Sequence, residues 1–271
     1  MVSPSNLYLY PRGSIYTVCL MAVWRLLVGE GDAYWNMALD EALLELKRRE
    51  LTRSTLRLYV FKPSAVTIGY FQKIEDSVDL EYAARHGIPV VRRVTGGGSV
   101  YHDEKGEVTY AVISEVGEVP ADIQECYEYV CAGLVYALEK LGLKAEFVPI
   151  NDIVVRGRKI SGSAQLRRGR AVLQHGTLMY NTDLKTLARV LKVPKEKLRG
   201  KGISSIYERV TTVSRELGRP VSKEEVIDAM IKGFSRALGV ELKRGELTSE
   251  EIALTRELES KYRSREWNFK R

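Results

Sequence analysis

Residues 92–103 read RRVTGGGSVYHD, and this stretch decides how the whole chain is interpreted. The apolar residues 88–91 lead into it and predict a buried strand. Two arginines follow, and then three consecutive glycines. Glycine permits positive φ and lets a ligand approach main-chain N–H groups, and arginine offers planar donors suited to phosphate or carboxylate. Because the stretch matches neither the GxGxxG fingerprint nor the Walker A pattern, it is either an anion-binding loop or a flexible surface turn.

The lysine segment, residues 151–165, reads NDIVVRGRKISGSAQ. Lys159 opens a strand directly after a glycine hairpin, and small residues follow it, so a ligand has room to lie along the strand. An exposed hairpin lysine on a close-packed sheet explains the pattern about equally well. Asp152 is a candidate Mg²⁺ ligand, because a hard cation that bridges phosphates takes one or two carboxylates. A turn or capping aspartate is an alternative of at least equal weight.

A third stretch, residues 174–178, reads QHGTL and contains one of the chain's three histidines. His175 could orient a ligand, but a histidine in a strand is more often packed and hydrogen-bonded, so no proton-transfer role is assigned to it. The chain has no GxSxG elbow and no zinc-ligand spacing. Hydrolysis by a serine triad or by a bound metal is therefore disfavoured.

The hydrophobic pattern predicts hairpins joined by helices. Asn36 is the predicted N-cap of the first helix. Residues 200–212 are expected to be irregular. The predicted strands cover 23–28, 55–61, 65–69, 88–91, 107–114, 151–155, 159–166 and 171–180, and the predicted helices cover 34–46, 79–86, 120–141, 182–191, 223–238 and 249–262. This arrangement indicates an α+β fold with a mixed, largely antiparallel central sheet flanked by helices.

The bulk composition is that of an ordinary globular protein with an excess of positive charge. Lys+Arg number 42 against 35 Asp+Glu, a formal net charge of +7, which suggests an anionic partner such as a nucleotide, a nucleic acid or an acidic protein. The three cysteines, Cys19, Cys126 and Cys131, fit neither a disulfide framework nor a CxxC metal pattern. Cys126 and Cys131 lie in a helical pattern that predicts buried thiols, and we expect a reducing, cytoplasmic setting.

The N-terminal residues need separate treatment. The apolar run at residues 15–24 resembles a signal peptide, but it is too short to span a bilayer and no small-residue cleavage site follows it. No membrane partner is expected. Met21 could be the true start, which would make residues 1–20 an N-terminal extension. We expect a catalytic domain at residues 21–245, followed by a C-terminal helix and tail at residues 246–271.

Together, these stretches resemble the lipoate–protein ligase A family. RRVTGGGSVYHD is similar to that family's RRxSGGGAVYHD loop, NDIVVRGRKISGSAQ to its NDI…GxKIxGxAQ lysine segment, and QHGTLMYNTDL to its HGTLL…DL segment. The similarity extends to WRLLVGEGDAYWNMALDEALL at residues 24–44 and to ERVT at residues 208–211, so it covers roughly residues 23–212 in the family's order.

The resemblance implies a biotin/lipoate protein ligase-like catalytic domain and a two-step ligation. Lipoate attacks the α-phosphate of ATP to give lipoyl-AMP and pyrophosphate. A lysine amine on a lipoyl-carrier domain then attacks the mixed anhydride and releases AMP. The expected carriers are the E2 subunits of 2-oxoacid dehydrogenases and the glycine cleavage H protein. ATP, Mg²⁺ and the substrate lipoate are the expected ligands.

The resemblance also implies roles for individual residues. Lys159 is the expected catalytic residue, as an electrostatic stabiliser of the carbonyl and phosphate rather than as a nucleophile. Asp152 is the expected metal ligand. The residues expected to bind ATP and the adenylate are Arg93, Gly96, Gly97, Gly98, Ser99, Val100, Tyr101 and Lys159, and those expected to bind lipoate are Lys159, Gly97 and His175.

Two departures from the family pattern matter. Related octanoyl- and lipoyl-transferases use a cysteine and an acyl thioester without ATP, and some carry that cysteine just upstream of the lysine segment. Residues 146–152 contain no cysteine here, which favours the ATP-dependent ligase and leaves ATP-independent octanoyl or lipoyl transfer as the alternative. Longer family members carry a C-terminal accessory domain, and the part after Thr212 is too short for one. We therefore expect a separate small accessory protein that is needed for adenylation.

Two further functions are weighed. A basic chain with 15 tyrosines could be a nucleic-acid-binding module. The tyrosines are scattered over predicted helices and strands, so packing explains them better, and no nucleic-acid partner is expected. Biotin ligation is disfavoured, because the stretch at residues 92–103 does not match the GRGRxGR loop of biotin ligases.

Overall fold

The computed structural model describes residues 21–192 and 204–270. The strands are β1 Ala22–Gly31, β2 Thr55–Phe61, β3 Ala65–Ile68, β4 Val90–Arg92, β5 Val100–His102, β6 Glu107–Glu115, β7 Ala145–Val148, β8 Asp152–Val155, β9 Arg158–Arg168, β10 Ala171–Met179 and β11 Val240–Arg244. The helices are α1 Ala33–Arg48, α2 Ile74–Ser77, α3 Leu80–Arg85, α4 Ile123–Lys140, α5 Leu184–Val190, α6 Ser204–Arg209, α7 Val213–Leu217, α8 Lys223–Leu238, α9 Ser249–Arg263 and α10 Arg265–Asn268.

Two sheets organise these elements. The large sheet has eight strands in the order β11-β1-β2-β6-β10-β9-β8-β7, and the small sheet has the order β4-β3-β5. Strands β11, β1 and β2 run parallel to one another, whereas each pair from β2 to β7 is antiparallel. The predicted α+β fold with a mixed, largely antiparallel sheet is confirmed.

Helices cover both faces of the large sheet. On one face, Leu56 and Leu58 of β2 belong to a cluster with Leu134 of α4 and Phe234 of α8. On the other face, Tyr59 packs in a cluster that includes α1 and α9. Side chains alternate between the two faces along β2. Both faces are buried, because helices cover each of them.

The start of α1 differs from the prediction. Its N-cap is Asp32, whose side chain accepts a hydrogen bond from Trp35 N at 2.8 Å. Asn36 instead lies buried inside the helix, where its Nδ2 donates to the Gly31 carbonyl at 2.8 Å. Aspartate and asparagine cap helices about equally well, so the sequence pattern did not separate the two positions.

Most other predicted elements agree with the structure to within a few residues. The elements that the sequence did not predict are short: β5, β7, β11, α2, α6, α7 and α10. Helix α6 lies in the segment that was expected to be irregular, and residues 200–203 of that segment lie outside the described residues. So does the proposed extension at residues 1–20. The division between residues 21–245 and 246–271 stays a prediction.

Arg92 holds the small sheet in place beside the large one. Its fully buried guanidinium donates to the carbonyls of Gly69, Tyr70 and Gln72 at 2.6–3.1 Å, and to those of Trp267 and Asn268 at 3.1 and 2.9 Å. The turn after β3 and the short helix α10 are thereby joined. In residues 21–192 and 204–270, no helix is long and apolar enough to cross a lipid bilayer.

The close packing of α4 on α8 gives a testable prediction. A Cβ atom on Gly233 would lie only 2.3 Å from the Gly133 carbonyl oxygen. We expect Gly233→Ala to push the two helices apart and to lower the free energy of unfolding by about 1–3 kcal/mol, measured by urea denaturation. Gly29→Ala is the control, because a Cβ there meets no atom within 4 Å. Equal stability of the two variants would contradict the prediction.

Candidate functional site

The three stretches singled out in the sequence meet at one cavity of about 100 Å³. The glycine loop, residues 96–99 between β4 and β5, forms one wall of the cavity. Strands β9 and β10 form the other wall. The predicted site residues that line the cavity are Arg93, Gly97, Gly98, Ser99, Val100, Lys159 and His175. Gly96, Tyr101 and Asp152 do not line it, although Asp152 contacts Lys159. The binding roles given to all these residues stay predictions.

The glycine loop presents unused backbone donors. Gly97 adopts a φ of +91°, a conformation that favours glycine. Its carbonyl oxygen lies close to Gly69, and a Cβ atom added to Gly69 would be only 2.0 Å from that oxygen. The main-chain N–H groups of Gly97, Gly98 and Ser99 donate to no residue within 21–192 and 204–270. Such a run of free N–H groups can receive a carbonyl oxygen or an anion.

Arg93 shapes this loop from inside. Its Nη2 donates to the Gly96 carbonyl at 2.6 Å and to the Gly98 carbonyl at 2.8 Å, and its Nε donates to Thr95 Oγ1 at 3.0 Å. No carboxylate of the described segments forms an ion pair with Arg93, and burial lowers the pKa of its guanidinium to about 10. The loop carbonyls therefore turn towards a buried cation.

Lys159 stands at the mouth of the cavity. Its Nζ lies 2.6 Å from Asp152 Oδ1. The two groups form an ion pair, but their geometry is not that of a well-directed hydrogen bond. The ammonium group passes over Gly162, where a Cβ would lie 2.6 Å from Nζ. The Lys159 carbonyl accepts a hydrogen bond from Thr211 N at 2.8 Å, so the later ERVT segment lies beside the lysine strand.

Two buried carboxylate–histidine pairs lie behind the cavity, and sequence reasoning missed both carboxylates. Asp40 Oδ2 lies 2.8 Å from His175 Nδ1, and Glu107 Oε2 lies 3.0 Å from His102 Nδ1. Arg57 also contacts Asp40, with Nη1 2.7 Å from Oδ1. The sequence carried a signal for Asp40, which falls on the buried face of α1 at a position where a hydrophobic core residue is expected.

The environment shifts the pKa values of the first pair. Burial raises the pKa of Asp40, but Arg57 and the hydrogen bond from His175 outweigh burial and hold that pKa below its ordinary value. Burial lowers the pKa of His175 below its ordinary value, and Asp40 only partly offsets this effect. Asp40 is thus ionised and His175 neutral at physiological pH.

The cysteines of α4 lie behind the cavity wall. Cys126 and Cys131 are fully buried, as the sequence predicts. Burial raises the pKa of both thiols, that of Cys131 to about 11, and the Cys131 sulfur lies 3.5 Å from Ser163 Oγ rather than in the cavity. Neither cysteine presents a thiolate to a ligand. Across the described ranges, no group of three or more His, Cys, Asp or Glu side chains could hold a metal ion.

The buried thiols give a second prediction. Because neither thiol reaches the cavity and both resist ionisation, we expect Cys126→Ser and Cys131→Ser to retain the enzymatic activity of the unaltered chain within about threefold. In a Cys19→Ser background, which removes the third thiol, the native chain should not react with iodoacetamide, and the chain unfolded in urea should react at both sites. Loss of activity in either variant, with the fold intact by circular dichroism, would contradict this interpretation.

Comparisons with known proteins agree on the family. A model of the lipoyl protein ligase A/B catalytic domain matches residues 32–235. Octanoyltransferase LipM of Kyrpidia tusciae is 37% identical and that of Brevibacillus brevis 35% identical, and each match covers 93% of this chain and 100% of the relative. The bipartite lipoate protein ligase of Thermoplasma acidophilum, a solved structure, is 37% identical with a TM-score of 0.81, over 92% of this chain and 96% of that one.

These comparisons correct the expected activity. The sequence analysis favoured an ATP-dependent lipoate–protein ligase with ATP and Mg²⁺ as cofactors. That prediction is wrong, because the curated relatives that align along almost the whole chain are octanoyltransferases. The structure pairs Asp152, the expected Mg²⁺ ligand, with Lys159 at 2.6 Å. The expected link to protein modification by lipoylation holds, and the chain belongs to the lipoyl protein ligase A/B catalytic domain family.

Proposed function

We propose that this protein transfers an octanoyl group from an acyl-carrier thioester to the ε-amine of a lysine on a lipoyl-carrier domain, without ATP. The observation that carries the proposal is that Gly97, Gly98 and Ser99, whose N–H groups donate to no described residue, line the same cavity as Lys159. Such donors can stabilise the carbonyl oxygen of an acyl group when it becomes negatively charged. The octanoyltransferase relatives support this choice of acyl group and donor.

The reaction is a single acyl transfer. The neutral amine of the acceptor lysine attacks the thioester carbonyl carbon, and the carbonyl oxygen takes up the negative charge. The C–S bond then breaks, the amide forms, and the leaving thiolate takes the proton that the attacking nitrogen releases. The chain contributes electrostatic stabilisation of the oxyanion by the Lys159 ammonium and the loop N–H groups.

Lys159 is placed for this role by its neighbours. Asp152 holds Nζ at 2.6 Å on one side, and Gly162 leaves the space that the ammonium group occupies. Because the Lys159 side chain is 41% exposed at the cavity mouth, an amine on the surface of another protein can reach the same place. The octanoyl tail would enter between the glycine loop and Ala164 and Gly176, where side chains are small.

Two partners follow from this proposal. The acyl donor is a carrier protein, and the acceptor is a lipoyl-carrier domain of the kind named above. The net charge of +7 favours acidic surfaces on either partner. The expected separate accessory protein stays a prediction, and an assay with the purified chain alone tests whether one is needed.

A mass-shift assay tests the transfer and the role of Lys159. We expect the purified chain to add an octanoyl group to an unmodified lipoyl domain from an octanoyl-carrier thioester in the absence of ATP. Lys159→Ala should lower kcat by about 10²–10³-fold, the cost of removing one donor to the oxyanion. Lys232→Ala is the matched control, because Lys232 also forms a 2.7 Å ion pair, with Asp228, on the surface of α8.

Two outcomes would contradict the proposal. Product that forms only from free octanoate or lipoate with ATP would exclude the thioester as donor. Full activity of Lys159→Ala would exclude the lysine as the stabilising cation. Either result is read directly from the mass of the lipoyl domain, with the Lys232→Ala variant run in parallel.

A further inference from the structure

Asp40 has no role in the proposed transfer, yet it is the most heavily hydrogen-bonded carboxylate near the cavity. It is 1% exposed and does not line the cavity. Arg57 Nη1 donates to it at 2.7 Å and the Tyr59 hydroxyl at 2.8 Å, and its Oδ2 faces His175 Nδ1 at 2.8 Å. A buried carboxylate with this many partners is held in one position.

The donors around His175 can be assigned from these contacts. An ionised carboxylate only accepts hydrogen bonds, so His175 Nδ1 carries the hydrogen and donates it to Asp40. Nε2 of the neutral ring is then an acceptor, and Thr95 Oγ1, 2.7 Å away, donates to it. Thr95 Oγ1 in turn accepts from Arg93 Nε at 3.0 Å. The hydrogen bonds therefore run in one direction, from Arg93 through Thr95 and His175 to Asp40.

A second relay has the same order. Arg93 Nη1 lies 3.3 Å from Thr67 Oγ1, which lies 2.9 Å from His102 Nε2. His102 Nδ1 lies 3.1 Å from Glu107 Oε1. Both relays are buried, and they meet at the guanidinium whose remaining donors hold the carbonyls of the glycine loop.

We propose that Asp40 and Glu107 are positioning residues, which act through His175, His102 and Arg93 to set the shape of the glycine loop. This inference deepens the proposed function, since it explains how the loop N–H groups are kept facing Lys159. Each carboxylate fixes the tautomer of its histidine. Each histidine fixes the hydroxyl of a threonine, and the two threonines and two loop carbonyls leave the guanidinium a single orientation.

The histidines must stay neutral for the relays to hold. Protonation of His175 at Nε2 would aim an N–H at the hydroxyl hydrogen of Thr95, and it would add positive charge beside Arg93. The charged and titratable groups around His175 are Asp40 of α1, Arg57 and Tyr59 of β2, Arg93 after β4, His102 of β5 and Glu107 of β6. Because burial lowers the pKa of His175, the relay is intact at neutral pH and is lost as the pH falls through that lowered pKa.

The tautomers can be observed directly. The chain has three histidines, so a long-range ¹H–¹⁵N spectrum of ¹⁵N-histidine-labelled protein contains few signals. We expect His102 and His175 to carry hydrogen on Nδ1 in the native chain, and the His175 signals to stay unchanged from about pH 8 to about pH 6.5, the ordinary histidine pKa, because burial lowers the pKa of His175. The exposed His86 is the internal reference. Hydrogen on Nε2 of His175 in the native chain would overturn the inference.

The variant Asp40→Asn tests the link to activity. Its amide can donate to Nδ1, so His175 should change to the Nε2–H tautomer, and kcat should fall by about 10- to 100-fold with little change in KM. The control is Glu41→Gln. Glu41 is the adjacent, equally buried carboxylate of α1, and it binds Arg168, Lys261 and Tyr262 at 2.6–2.7 Å, away from the cavity. Equal kinetics of the two variants would overturn the positioning role.

Thr95 supplies a second test if Asp40→Asn does not fold. Thr95→Val keeps the shape of the side chain but removes the hydroxyl between Arg93 and His175, and Thr95→Ser restores it. We expect kcat to fall in the valine variant and to recover in the serine variant. Equal rates in the two variants would contradict the relay. The spectra need no acyl transfer, so they remain informative if the proposed reaction fails, and failure of the relay leaves the transfer assay unaffected.

Discussion

The site depends on two adjacent buried arginines that point in opposite directions. Successive residues of an extended chain face opposite sides, so Arg92 turns towards the C-terminal segment and Arg93 towards the glycine loop. Arg92 is held by carbonyls of the turn after β3 and of α10, and Arg93 by the loop carbonyls and two threonines. A buried charge is tolerated only with such full hydrogen bonding. Arg93 therefore holds the glycine loop itself, and Arg92 holds the turn at Gly69 against which the Gly97 carbonyl packs.

The chemistry of the site explains why motif resemblance led to the wrong activity. An acyl-adenylate and an acyl thioester both present a carbonyl carbon to an attacking lysine amine, and both need donors for the resulting oxyanion. The glycine loop and Lys159 are suited to that shared step. The two reactions differ in the leaving group, phosphate or thiolate, and in the proposed transfer the quoted motifs act on the carbonyl group that both reactions share. Relatives with the same fold accordingly include both lipoate ligases and octanoyltransferases.

Much of the fold could be predicted because its long elements have strong periodicity. Strand β2 and helix α8 have the predicted bounds, and the α+β class followed from hairpins joined by helices. The short strands β5, β7 and β11 were missed, since three to five residues carry too little pattern and pair only because the tertiary structure brings them together. Asn36 was misplaced because Asp32 is an equally good cap.

The site was predicted in part for a similar reason. Short sequence motifs mark the glycine loop, Lys159 and His175. The structure brings all three to one cavity. Asp40 and Glu107 are polar residues in the middle of a helix and at the start of a strand, and the local pattern marks only Asp40, as an aspartate on the buried face of α1. Their partners lie on other elements, at separations of up to 135 residues along the chain, so only the tertiary structure reveals them.

The contact between Arg92 and α10 has a consequence for how the protein matures. Arg92 N donates to Asn268 Oδ1 at 2.8 Å, and the Trp267 indole donates to the Arg92 carbonyl at 2.7 Å, across about 175 residues of chain. During translation the glycine loop emerges long before these partners exist. The ribosome must release residues 265–268 before the loop acquires its final support. A chain that stops earlier in synthesis thus lacks the contacts that hold Arg92, and with it the start of the glycine loop, in the final position.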